Sequence, residues 1–146
     1  MTRRFCLCVF VGLSLSAGAA PDAAKHELDK LQGKWVMAEL EVNGEKVPAE
    51  KFQASRLEIK GDRYIVNSGR STHEASLKLD PTKTPKTMDM TFLDGDNMGD
   101  TAEGIYKLEG DTLTICRPRL PPQERPTEFV TKPGTDRFIV VWKREK

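Results

Sequence analysis

The residues Asp94, Asp96, Asn97 and Asp100 bring three carboxylates and an amide into one short loop, Asp94-Gly95-Asp96-Asn97-Met98-Gly99-Asp100. Oxygen-rich loops bind calcium when ligands recur at alternate positions and a glutamate closes the twelfth. Counted from Asp94, Met98 stands where the third side-chain ligand belongs and Ile105 where the glutamate belongs. Asp94 and Asp96 could begin such a loop and Gly99 fits its glycine position, but the pattern fails at Met98 and Ile105. A solvated hairpin loop is therefore expected and no metal site is assigned. His73 and Glu74 are neighbours on a strand-like segment, where successive side chains point to opposite faces. They are therefore not an acid–base pair. His26 lies far away in sequence, and no Cys or Asp stands at zinc-ligand spacing from either histidine. Ser68 and Ser71 read as turn residues. No nucleophile elbow, zinc-protease helix or phosphate loop is present. The chain is expected to be non-catalytic and to need no cofactor.

Two stretches suit binding better than catalysis. Met88, Met90 and Phe92 share one parity of an alternating segment, with Thr87, Asp89 and Thr91 on the other. Flexible methionines and a phenyl ring make this stripe the best candidate wall for an apolar cavity. The competing reading is that the stripe simply fills the interior of a small barrel, and low aromatic content (7%) favours that reading. Arg117-Pro118-Arg119-Leu120-Pro121-Pro122 is a stiff, basic loop that offers a protein-binding edge or an ordered crossover between strands. The crossover is the preferred expectation. Cys116, between Ile115 and Arg117, reads as a small buried filler.

The elements that position these residues follow from the turn signals. Pro21 to Leu31 predicts a short helical lead-in, with Asp22 as its cap and Leu28 and Leu31 as its apolar stripe. Strands are expected over Lys34–Val42, Leu57–Lys60, Tyr64–Asn67, Thr72–Leu79, Thr87–Leu93, Thr101–Leu108, Thr112–Arg117, Thr127–Thr131 and Arg137–Arg144. Asn43-Gly44, Gly61-Asp62, Ser68-Gly69, Asp80-Pro81, Gly110-Asp111 and Pro133-Gly134 punctuate them. Pro48 to Ala54 allows one helical turn with Phe52 facing inward. Eight or so short strands with no βαβ pattern predict an all-β, antiparallel barrel or sandwich.

A closed barrel has an end to seal. Gly33-Lys34-Trp35, at the start of the first strand, supplies the largest available plug. Arg144, or alternatively Lys143, ends the last strand where a cation can lie across the indole. The first strand of lipocalin-like barrels carries the same Gly-x-Trp. Gly33, Trp35 and Arg144 are therefore expected to form a structural plug.

The N-terminus bounds where the protein works. Arg3 and Arg4, an apolar run from Phe5 to Leu15, and the small residues Ser16 to Ala20 have the build of an export signal. The run is too short to span a bilayer, which takes roughly 20 residues. Cleavage is expected after Ala19 or Ala20, leaving residues 1–20 as signal and 21–146 as one barrel domain, periplasmic or extracellular. Arg3 and Arg4 leave with the signal, so 23 basic residues fall to 21 against 22 acidic ones. That balance is unlike the basic footprint of a nucleic-acid binder. Cys6 and Cys8 leave as well, so Cys116 has no disulfide partner.

Together, several phrases resemble a family of small exported domains known mainly from planctomycete bacteria. They are Leu31-Gln32-Gly33-Lys34-Trp35, Leu79-Asp80-Pro81-Thr82-Lys83 with Pro85-Lys86, Gly104-Ile105-Tyr106, Gly110-Asp111-Thr112-Leu113, Arg125-Pro126-Thr127-Glu128-Phe129 and Val141-Trp142-Lys143-Arg144. The resemblance covers about Leu31 to Lys146 and implies a lipocalin-like architecture. It carries over no catalytic residues. The resulting expectation is a non-catalytic exported barrel that binds a small apolar molecule or an envelope component. The alternative is a filled barrel serving as a protein-interaction module, and a third, weaker option is an enzyme with carboxylates at the barrel mouth.

Overall fold

The computed structural model describes residues 19–146. Residues 1–18, which hold the charged and apolar parts of the expected export signal, lie outside the described residues. A helix α1 (Ala19–Leu31) leads into β1 (Gly33–Val42) and a two-residue β2 (Glu45–Lys46). Then follow β3 (Arg56–Lys60), β4 (Arg63–Asn67), β5 (Thr72–Asp80), β6 (Lys86–Phe92), β7 (Thr101–Glu109), β8 (Thr112–Pro118) and β9 (Arg137–Arg144). Every neighbouring pair is antiparallel, and β9 returns to pair with β1 from Trp35↔Arg144 to Val42↔Phe138. The result is a closed, lipocalin-like barrel of eight strands, with β2 as a short hairpin flap on β1.

Two expectations are corrected here. Thr127–Thr131 forms no strand, because β8 pairs directly with β9 over Thr112–Pro118 and leaves no place in the ladder. Instead, residues 119–136 run as a crossover against the outside of the barrel. Arg125 anchors it, donating to the Gly104 carbonyl at 2.8 Å and pairing with Asp89 at 2.8 Å. Asp22 is also not a cap. The helix begins at Ala19, and Asp22 sits in its first turn, where a carboxylate still complements the helix dipole.

Alternation decides what faces inward. Leu57 and Ile59, Ala75, Leu77 and Leu79, Met88 and Met90, and Leu113 and Ile115 all belong to the buried core. Strand β1 would lose this rhythm over its ten residues, but a bulge between Met37 and Glu39 resets it. Trp35 and Met37 precede the reset, and Leu40 follows it as a core-packing residue.

At one end the barrel is sealed by α1. Trp35 is fully buried and its Nε1 donates to the Leu31 carbonyl at 3.1 Å. Arg144 lies over the indole, 4.2 Å from the ring centroid. Its Nη1 donates to the Gln32 carbonyl at 2.7 Å and its Nη2 to the Lys30 carbonyl at 2.8 Å. A helix ends with carbonyls that lack intrahelical partners, and these two side chains satisfy three in succession. Gly33 adopts φ +121°, and a Cβ there would sit 3.4 Å from the Arg144 guanidinium. The positive φ is what selects glycine, since 3.4 Å is an ordinary van der Waals approach. Gln32 clasps the β3–β4 turn, exchanging hydrogen bonds with Gly61 in both directions at 2.8 Å.

A second fastening lies further back on α1. Glu27, buried, accepts from Lys30 at 3.0 Å, Lys86 at 3.1 Å and the Tyr106 hydroxyl at 3.0 Å. Burial alone would raise its pKa, but these three donors outweigh burial and hold it below the ordinary value of 4.5. Its contribution to stability is therefore complete above 4.5 and is lost as pH falls through the lower folded-state value. Glu27→Gln is expected to lower stability at neutral pH by about 2 kcal/mol, the scale of hydrogen bonds to a charged group. It should also flatten the acid limb of the stability curve, read by urea titration across that range. Arg144→Ala is expected to cost a similar ~2 kcal/mol through the lost carbonyl bonds and cation–π contact. A urea midpoint unchanged from wild type would show that the plug does not bear on stability.

Candidate functional site

The far end of the barrel is hollow. Beyond the core, β1, β4, β5, β6, β8 and β9 surround a cavity of about 620 Å³ that opens to solvent. This lies within the usual range for small-molecule sites, roughly 300–1,000 Å³. Its walls are mostly apolar, with Met37, Leu40, Val66, Met90, Phe92 and Phe138 prominent among them. Trp142 and Tyr64 line the inner part, joined by a hydrogen bond from Trp142 Nε1 to the Tyr64 hydroxyl oxygen at 2.9 Å. The two rings meet edge to face.

The structure divides the methionine stripe. Met90 and Phe92 line the cavity, whereas Met88 is fully buried in the core and is not part of the lining. The expectation of a wholly filled interior therefore holds for the Trp35 end and fails toward the mouth. Trp35 and Arg144 take no part in the cavity, and with Gly33 they close the opposite end. At the mouth, the loop after β6 folds over one side. Asp94 accepts from the Glu74 amide at 2.9 Å and contacts His73 Nδ1 at 3.0 Å. The hydrogen bonds from His73 and the Glu74 amide hold its carboxyl below the ordinary range. Its oxygens are committed to fixing the loop, and among the described residues no group of three or more metal-ligating side chains occurs.

One charged side chain stands within the apolar walls. Arg117 follows Leu113 and Ile115 at the two-residue spacing of β8, and so points inward where the crossover was expected to begin. Its guanidinium carbon lies 4.4 Å from the Phe138 ring centroid and 5.4 Å from that of Phe92. Nη1 donates to the carbonyls of Pro118 and Arg119 at 2.8 and 3.3 Å. Nε and Nη2 have no hydrogen-bond partner, and the side chain has no ion pair, among the described residues. Removal from water pushes its pKa down to about 10, so it remains charged at neutral pH. Burial pushes Tyr64 up to about 12, with the Arg117 charge opposing the rise, so the phenol remains a donor.

Gly104 makes room for this arrangement. It faces Arg117 across the β7–β8 ladder, and a Cβ there would meet Arg117 Cβ and the Cys116 carbonyl oxygen at 2.9 Å each. Backbone atoms yield little, so a larger residue would spread the two strands. On the outer face of β8, Cys116 is fully buried under the crossover, its thiol directed at the Glu128 carbonyl at 3.7 Å. Burial raises its pKa, as suits an inert filler.

Comparison of the chain with protein-family models, with curated proteins and with solved structures finds no significant match in any of the three. The cavity's own chemistry must therefore carry the functional argument.

The sequence placed Arg117 in a basic loop and Tyr64 at a strand start, with neither expected in a cavity wall. The signal for Arg117 was present: extending the Leu113, Ile115 parity by one step reaches it. Gly104→Ala is expected to destabilise the barrel by about 1–3 kcal/mol through overpacking. Chemical denaturation would measure this, and an unchanged midpoint would show that the strands can part freely at that point.

Proposed function

We propose that this protein is an exported, non-catalytic barrel that holds a small, largely apolar molecule in its cavity. The observation supporting this is the hollow half-barrel itself. Well-packed domains leave few voids larger than a water molecule, yet here one end is filled by buried side chains and the other is open. The asymmetry costs packing energy that the same strands could have recovered with larger inward side chains. Ala75 illustrates this: a small residue on the cavity wall, placed across from both Tyr64 and Phe92.

The domain would work after export, in the periplasm or outside the cell, carrying its ligand through water or presenting it to another envelope component. The Arg3-Arg4 charge, the apolar run from Phe5 to Leu15 and the small residues after it support the same location. Ligand exchange would occur at the mouth, where the Asp94 loop and the start of the crossover, with Arg119 and Leu120, surround the opening.

Two measurements test this reading. The neutral dye N-phenyl-1-naphthylamine is expected to bind with enhanced, blue-shifted fluorescence. Ala75→Trp should fill the cavity and weaken dye binding by about tenfold or more, equivalent to at least 1.4 kcal/mol. Dye binding that survives the substitution would locate the apolar site elsewhere. Mass spectrometry of the protein from its own cell envelope is expected to give a chain starting at Ala20 or Pro21. An intact chain from Met1 would overturn export by signal cleavage.

A further inference from the structure

A cavity meant only for neutral apolar molecules has no use for an unpaired guanidinium in its wall. Arg117 is half-buried, and its Nε and Nη2, unpartnered among the described residues, remain open to the cavity, where a ligand oxygen can reach them directly. Its position is fixed by stacking between Phe138 and Phe92 and by the two carbonyls that Nη1 reaches. That leaves the Nε–Nη2 edge, one of the guanidinium's paired-donor edges, without a protein acceptor among the described residues. Two parallel N–H donors match the two oxygens of a carboxylate. The Tyr64 hydroxyl adds a third donor: its oxygen accepts from Trp142, and its own proton has no acceptor among the described residues. Tyr64 and Arg117 line the same cavity.

We infer that the ligand is an amphiphilic monocarboxylate, held by a bidentate pair with Arg117, by the Tyr64 hydroxyl and by apolar contact with Met90, Phe92, Phe138 and Val140. The inference rests on the cavity being a ligand site, and it adds the chemical class of that ligand. The carboxylate supplies the partner that no side chain of the wall gives Arg117, and the acyl chain fills the apolar space. The acidic side chains at the mouth do not substitute for it: Asp94 is engaged by His73 and the Glu74 amide, Glu74 pairs with Arg63, and Asp96 is exposed on the loop and makes no ion pair with Arg117. The cavity thus selects against both a plain hydrocarbon, which leaves Arg117 unpaired, and a cationic amphiphile, which faces its charge.

Isothermal titration of the whole mature protein with decanoate, methyl decanoate and 1-decanol tests the assignment. Decanoate is expected to bind about 10- to 100-fold more tightly than either neutral analogue, the range for hydrogen bonds to a charged group. Arg117→Met should abolish this preference, bringing the decanoate affinity down to that of decanol measured on the same variant. Tyr64→Phe should reduce it in part. Equal affinities for the three compounds in the wild-type protein would overturn the inference and leave the carrier reading standing, as would a decanoate preference that survives Arg117→Met. Failure of all three to bind would overturn both. The wild-type comparison stands even if a variant does not fold.

Discussion

Arg144 joins three parts of the molecule at once. Its guanidinium covers the Trp35 ring, donates to two carbonyls at the end of α1, and extends its Nε toward Asp111 in the β7–β8 turn at 3.2 Å. Because Trp35 donates to the carbonyl between those two, the helix end is satisfied by barrel side chains and the barrel end is closed by the helix. Neither element is complete without the other. A helix of this length is marginal alone in water, and a barrel with an unsealed end would wet its core. The seam between β1 and β9 meets at this same contact, so closure of the sheet and closure of its end are one event in space.

From this fastening the structure changes character along the barrel axis. Near Trp35 the inward side chains interlock, with Leu113, Ile115 and Met88 fully buried. Past the level of Trp142 and Tyr64 they draw apart around open space. The sealed end provides the stability that lets the other end remain hollow and carry a charge. Rigid support behind the wall matters to the proposed site, because the orientation of a guanidinium decides whether a planar ligand can meet it squarely. Stacking on Phe138 and the tight approach of Gly104 supply that orientation at Arg117.

Much of this was legible in the sequence because its causes are local. Glycine-containing turns at Asn43-Gly44, Gly61 and Gly110-Asp111 marked the hairpins, and period-two alternation identified Met88, Met90 and Phe92 as inward-facing. Gly33, Trp35 and Arg144 were placed by the geometric need to seal a barrel. Two kinds of information were missing. The first is how far along the axis a residue lies, since alternation gives its face but not its depth; this is why Met88 parted from Met90. The second is how composition competes with register. Prolines from Pro118 onward suggested that the strand ends at Arg117, whereas the β8 ladder extends one residue further, through Pro118, before releasing the chain. Thr127–Thr131 failed for a related reason, since strand-like residues form no strand where every edge is already taken.

The closing seam also bears on the order in which the fold can assemble. The Arg144 contacts span 112 and 114 residues of chain, so β1 must wait for β9, while consecutive hairpins from β3 to β8 can form from neighbouring sequence. Long-range closure of this kind is the slow part of folding, because loop entropy must be lost before any contact repays it. Until then β1 has an open edge and α1 an unfinished end. The helix cap, the Arg144 cover of the plug and the last sheet partner of β1 are therefore completed together, in a single late step.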